Sequence, residues 1–139
     1  MRHRIANVVT IKQAQNLAQN ITYLTFSDKR LTRILAHIKS KVDINTMAPS
    51  YVRVEQKPGG HPWHLDTGTK NHMSWCKYTA RVLLTPEDSF EGGGFYFRDD
   101  PNNALFGYRD LILFDQIPPN EHFVASHSGD RRVLLMFFA

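Results

Sequence analysis

One cysteine in 139 residues, Cys76, leaves this chain without the means to form an internal disulfide or a CxxC metal knuckle. That excludes a cysteine-rich zinc module and a disulfide-stapled secreted scaffold, and it leaves histidine and carboxylate side chains to hold any metal. Also missing is a run of about 18 to 20 uninterrupted apolar residues, so no bilayer-spanning helix is expected. The opening MRHRIANVVTIKQAQ has neither the apolar core nor the small-residue cleavage site of a secretory signal, and the expected location is the cytoplasm. There is no internal repeat, no low-complexity tract and no dividing linker, so residues 1–139 are expected to form one domain. Gly92-Gly93-Gly94 is not followed by Lys-Ser/Thr, which makes it a tight turn requiring positive φ rather than a phosphate cradle.

What is present is a chain of two halves. The formal charge of +4 divides unevenly: residues 1–50 carry eight Lys and Arg against Asp28 and Asp43, a balance of +6, and residues 51–139 carry nine against eleven acids, a balance of −2. A basic segment can dock nucleic acid or an acidic partner, but a solvated helix face accounts for the same charges and is the reading preferred here. Ile11, Ala14, Leu17, Ala18 and Ile21 recur at helical spacing behind Thr10 as N-cap, and Leu31, Ile34, Leu35 and Ile38 do so behind Ser27. From Tyr51 the pattern shortens to β-prone runs between Gly, Pro, Asn and Asp: YVRVEQ, WCKYTARVLLT, GFYFR, ALFGY, DLILF, HFVAS and RRVLLMFF. The expectation is a helical cover and first strand over 1–50 and a β-barrel or sandwich core over 51–139, with the two helices on one face.

Chemistry concentrates in His61-Pro-Trp-His64-Leu-Asp66. A His and an acid two apart on extended chain point to the same side and can bind one ion from adjacent corners. The stretch from Asp110 to Arg132 then offers a strand, a second strand opening with His122, and a third opening with Arg131-Arg132. Two imidazoles and one carboxylate on one side of an iron ion leave neighbouring positions open for a chelating co-substrate and oxygen. Arg131, nine residues past His122, has the fork geometry to clamp a carboxylate. Rival ligand sets use His61 with His64, or His127 in place of His122.

The block from Tyr51 to Phe138 resembles the 2-oxoglutarate/iron(II)-dependent oxygenases, and the prolyl-4-hydroxylase-like branch in particular. His64-Leu-Asp66 is similar to the family's H-x-D, the 56-residue gap to His122 lies in its usual range, Gly129-Asp-Arg131 matches its G-x-R, and Glu91-Gly-Gly-Gly-Phe-Tyr-Phe97 resembles its E-G-G turn. The resemblance implies a double-stranded β-helix, jelly-roll or cupin-like, with Fe(II) held by His64, Asp66 and His122. It also implies 2-oxoglutarate with its far carboxylate on Arg131, O2 as oxidant, succinate and CO2 as by-products, and ascorbate as a candidate reductant. Two positions depart from the pattern. Gly94 stands where relatives often carry an acid, and Val133 stands where some carry a Ser or Thr that helps the arginine, so another donor is needed; Tyr78 is the candidate.

The expected reaction is hydroxylation of a C–H bond. The branch points first to a peptidyl prolyl or other amino-acid side chain, then to a small metabolite, and the basic N-terminal half adds a nucleobase. A cupin-like metal-binding barrel without oxygenase activity and a nucleic-acid-binding module are the alternatives from other classes. His3, His37 and His72 read as ordinary surface or core residues, His127 as a group that either supports the ligands or faces the substrate, and Trp63 and Trp75 as either mouth-lining or packing aromatics.

Overall fold

The strand VLLMFF is apolar on both of its alternating faces and must be covered on two sides, whereas YVRVE buries Val52 and Val54 and leaves Tyr51, Arg53 and Glu55 half-buried on its other face. A computed structural model describes residues 1–19, 21–48, 50–68, 73–102, 104 and 107–139. In chain order its elements are β1 (Arg2–Ile5), α1 (Ile11–Ala18), β2 (Tyr23–Leu24), α2 (Thr32–Lys39), β3 (Tyr51–Glu55), β4 (His61–His64), β5 (Tyr78–Leu83), β6 (Phe90–Gly92), β7 (Phe95–Phe97), β8 (Leu111–Asp115), β9 (His122–Val124), β10 (His127–Gly129) and β11 (Val133–Phe138). A six-stranded antiparallel sheet runs β1-β8-β5-β11-β3-β2, and two small sheets run β4-β9-β7 and β10-β6. The small sheets are joined where Gly93 N donates to the Ser126 carbonyl at 3.0 Å and Ala125 N to the Gly94 carbonyl at 2.9 Å.

Alternation gives the large sheet two different cores. On one face Val52, Val54, Ala80, Val82, Leu111, Leu113, Leu134, Met136 and Phe138 pack under the helices, meeting Ala14 and Leu17 of α1 and Ile34, Leu35 and Ile38 of α2. On the other, Leu83, Ile112, Phe114, Val133, Leu135 and Phe137 meet Phe90, Phe95, Phe97 and Val124 of the small strands. This is the double-stranded β-helix with two helices on one face. Each fully buried Ile or Leu contributes roughly 1.5–3 kcal/mol, so α2 is held by its apolar stripe rather than by intrinsic propensity.

Several local expectations change. Helix α1 has the Thr10 cap, with Gln13 N donating to Thr10 Oγ1 and the Gln13 side chain accepting from Thr10 N. It ends at Ala18 rather than Ile21, and Ile11 and Ile21 are both exposed, because the chain turns there to pair β2 with β3. The second cap is Asp28, which closes a short 3-10 turn over Lys29–Leu31 ahead of α2, while Ser27 bonds to Thr25. Strands β2, β6 and β10 are too short or too polar to have stood out in sequence. The ALFGY run lies partly outside the described residues; its described part is not a strand, and Tyr108 bridges to Leu83 while Ala104 N donates to the Phe95 carbonyl. His72 also lies outside them. No helix among the described residues is long and apolar enough to cross a membrane.

Candidate metal centre

His64 and His122 meet because β4 and β9 pair antiparallel with these two residues directly opposite one another. Their rings stand 4.3 Å apart between centroids. Asp66, two residues past His64, brings Oδ1 to 3.2 Å from His64 Nε2 and 3.4 Å from His122 Nε2. One ligand atom from each side chain lies within 4.8 Å of the other two, and among the described residues this is the one group of three or more His, Cys, Asp and Glu side chains so placed.

The proton positions say what belongs between them. His64 Nδ1 donates to the Pro62 carbonyl at 2.6 Å, and His122 Nδ1 donates to the Asn120 carbonyl at 2.9 Å. With both Nδ1 atoms committed as donors, a neutral ring presents the lone pair of Nε2. His122 is fully buried, and its Nε2 has no hydrogen-bond partner among the described residues. Burial keeps this imidazole below its ordinary pKa and so uncharged. Burial also opposes charge on Asp66, but His122, His64 and the Thr79 hydroxyl outweigh it and hold the carboxyl well below its usual range. Burial opposes charge on His64 too, but its hydrogen bonds to Asp66 and the Pro62 carbonyl outweigh this and raise its pKa. Asp66 is therefore a carboxylate beside a neutral His122 and a more basic His64, a donor set that can hold a cation at its centre.

A second shell fixes the carboxylate. Thr79 Oγ1 donates to Asp66 Oδ2 at 2.8 Å, Gln116 Nε2 donates to Thr79 Oγ1 at 2.7 Å, and Asp66 N donates to Gln116 Oε1 at 2.8 Å. Phe95, Phe97 and Phe114 surround the His122 ring at 5.0 to 6.3 Å and keep that side dry. The open side gives onto a cavity of about 310 Å³ bordered by Tyr51, Arg53, His61, His64, Asp66 and Phe137. His61 is occupied otherwise, with Nε2 2.8 Å from Glu55 Oε1, and His127 lies near Phe90 outside the group of three.

Arg131 and Arg132 diverge as neighbours on extended chain must. Arg132 turns toward α1, bonding the Ala18 carbonyl and Asp130. Arg131 turns into the barrel, where it is 3% exposed with Nε and Nη2 unpaired among the described residues. Burial first, and then the charge of Arg81, lower its pKa to about 10. Gly93 makes the room, since a Cβ there would collide with Arg131 Cδ and Nε.

Tyr78 corrects the sequence reading. It packs with the helix-side core, on the opposite face of β5 from Thr79, so its hydroxyl is not offered to the barrel interior. What faces inward from β5 is Thr79, Arg81 and Leu83, and Arg81 is 2% exposed with its guanidinium 4.5 Å over the Phe95 ring. Sequence reasoning passed over Arg81, Thr79 and Gln116. The available signal was a charged residue inside the otherwise apolar run TARVLL, since a buried strand does not carry an arginine without a partner for it.

No protein-family model matches the chain, and no curated protein matches it. Solved structures do. A viral collagen prolyl hydroxylase from Paramecium bursaria Chlorella virus-1, solved as its 2-oxoglutarate complex, superposes with a TM-score of 0.72 at 14% identity, covering 99% of this chain and 94% of that one. A Pseudomonas putida prolyl-4-hydroxylase gives 0.68 at 14%, covering 99% and 84%. A Trichoplax adhaerens prolyl hydroxylase in complex with a hypoxia-inducible-factor oxygen degradation domain peptide fragment gives 0.67 at 14%, covering 99% and 82%. The chain has the fold of these prolyl hydroxylases.

Proposed function

We propose that this protein is a non-haem Fe(II)- and 2-oxoglutarate-dependent dioxygenase that hydroxylates a C–H bond of a peptidyl side chain, proline first among them. One observation carries the reading: a buried carboxylate and two imidazoles bring one ligand atom each within 4.8 Å of the others beside a cavity, and the same barrel buries the Arg131 guanidinium with Nε and Nη2 unpaired among the described residues. The donor set of two nitrogens and one oxygen suits ferrous iron, and a metal held from one side keeps positions open. Once bound, such an iron supplies oxygen activation coupled to oxidative decarboxylation of the 2-oxo acid.

The chain's own residues supply the rest. His64, Asp66 and His122 hold the metal, Pro62, Asn120, Thr79 and Gln116 fix their orientation, and Arg131 takes the far carboxylate of the co-substrate. Phe95, Phe97 and Phe114 exclude water from the buried side. A peptide substrate is supported by the peptide complex of the Trichoplax structure. A nucleobase finds less support, because the basic N-terminal half packs on the face of the large sheet away from the cavity, and Arg30 of that half is tied to Asp28 at 2.8 Å.

The test is an anaerobic titration of the protein with Fe(II) and then 2-oxoglutarate, followed by aerobic succinate release with proline-containing peptides, free amino acids and methylated oligonucleotides. The expected result is a charge-transfer absorption needing both components, lost in Asp66→Ala and weakened in Arg131→Ala, with succinate stimulated by peptides. Iron binding indifferent to 2-oxoglutarate, with no succinate, would leave a metal-binding barrel of the cupin kind.

A further inference from the structure

The interior of the barrel holds more positive charge than one carboxylate clamp requires. Arg81 and Arg131 are both almost wholly buried, and each leaves Nε and Nη2 without a partner among the described residues. Those two nitrogens form one edge of the planar fork, the edge that binds a carboxylate with two parallel hydrogen bonds. Burying such donors unsatisfied costs far more than any packing gain, so their edges await an anion.

Register fixes where that anion sits. Thr79 touches the metal-binding carboxylate, and Arg81 is the next residue on the same face of β5, about 6.7 Å further along the strand. A five-carbon 2-oxo diacid separates its chelating end from its far carboxylate by a comparable length. Arg131 enters the same region from the foot of β11, two residues before Val133, the residue that pairs with Leu83. The donor missing at Val133 and Tyr78 is thus available from β5. Arg53, the third inward arginine, is half-exposed at the mouth and already paired with Glu55 at 2.7 Å.

Building on the function proposed above, we infer that Arg81 is a specificity-determining residue that shares the far carboxylate of the co-substrate with Arg131, so that two guanidinium forks grip one carboxylate. A carboxylate has two oxygens and about four acceptor sites, enough for both forks. The pocket accordingly selects 2-oxo diacids against 2-oxo monoacids more sharply than one arginine could.

The test separates the two ends of the ligand. Mn(II)-loaded protein is titrated calorimetrically with 2-oxoglutarate and with 2-oxopentanoate, which chelates identically but lacks the far carboxylate. In Arg81→Met the affinity for 2-oxoglutarate is expected to fall about 10- to 100-fold, with 2-oxopentanoate and Mn(II) affinities within about twofold of native, as loss of a charged hydrogen-bond pair predicts. An unchanged preference ratio in a folded Arg81→Met protein that still binds Mn(II) overturns the assignment. Should that variant not fold, Arg81→Lys keeps the charge and loses the fork; a ratio reduced about threefold or more upholds the inference, and a native ratio overturns it. Failure of the underlying functional reading has its own signature: the unaltered protein would already bind 2-oxoglutarate no better than 2-oxopentanoate, and the inference would fall with it.

Discussion

His122 Nε2 stands 3.4 Å from Asp66 Oδ1 without a well-formed hydrogen bond to it, while Nδ1 of the same ring donates to the Asn120 carbonyl. A carboxylate and a neutral imidazole nitrogen held that close in a buried place are stabilised together by a cation in reach. Replacing His122 by Ala is therefore expected to lower Fe(II) or Mn(II) affinity on the order of 100-fold or more, measured anaerobically by calorimetry. Metal at about 100 times its Kd should stabilise the native fold by about 2.7 kcal/mol, visible as a rise in Tm that the variant lacks.

Thr79 acts on the metal through Asp66. Its hydroxyl donates to Oδ2 and accepts from Gln116, so Thr79→Val removes both bonds and leaves only the long 3.4 Å contact from Gln116 Nε2 to Asp66 Oδ2. The expected cost is about 1–3 kcal/mol of stability by denaturant titration and roughly tenfold in metal affinity. Thr79→Ser, which keeps the hydroxyl, should recover most of the metal affinity.

Arginines 131 and 132 are neighbours with opposite duties. Arg131→Ala should weaken 2-oxoglutarate binding by about 10- to 100-fold with the metal still bound, since its fork is buried and unpaired. Arg132→Ala loses the tie to the Ala18 carbonyl and should lower Tm while leaving co-substrate affinity within about twofold. The opposite result, with Arg132 governing binding, would reverse the inward and outward assignment of the strand.

Gly93 has φ +71°, and a Cβ there would strike Arg131. Gly93→Ala is expected to cost about 1–3 kcal/mol in stability from backbone strain. It should also reduce 2-oxoglutarate affinity without changing metal affinity, because the displaced group is the guanidinium and not an imidazole.

Glu55 sets an acid limit on stability. Burial pushes its carboxyl up, but the hydrogen bond to His61 and the charges of Arg81, His61 and Arg53 more than reverse this and bring it to about 2. A depressed carboxyl stabilises the fold above its unfolded pKa of about 4.3, and that contribution is lost as the pH falls from there toward 2. It amounts to roughly 3 kcal/mol, so native stability should decline across that window, and Glu55→Gln should flatten the decline.

How much of this was legible in the sequence depends on what each residue's signal was. His64-Leu-Asp66 and His122 were readable because alternation on extended chain and a two-imidazole, one-carboxylate donor set are both chemical patterns. The apolar stripe of α2 and the strands β3, β5, β8 and β11 were readable from periodicity. Tyr78 was misplaced by one position of alternation, and the one local hint in WCKYTARVLLT was Arg81, which shares its face with Thr79 and not with Tyr78. The pairing of β5 with β11 and β8 settles that, and it is a long-range fact. Strands β6 and β10 gain their order from pairing with each other, a contact between residues 35 to 39 positions apart.

The two-faced large sheet also makes function and folding inseparable in this chain. Sliding β5 by a single residue against β11 would thrust a threonine and an arginine under the helices and expel Ala80 and Val82 into the wet chamber. Such a slipped molecule would forfeit its greasy support together with its chemistry, so damage to this ladder is expected to yield unfolded protein, not a well-folded dead one.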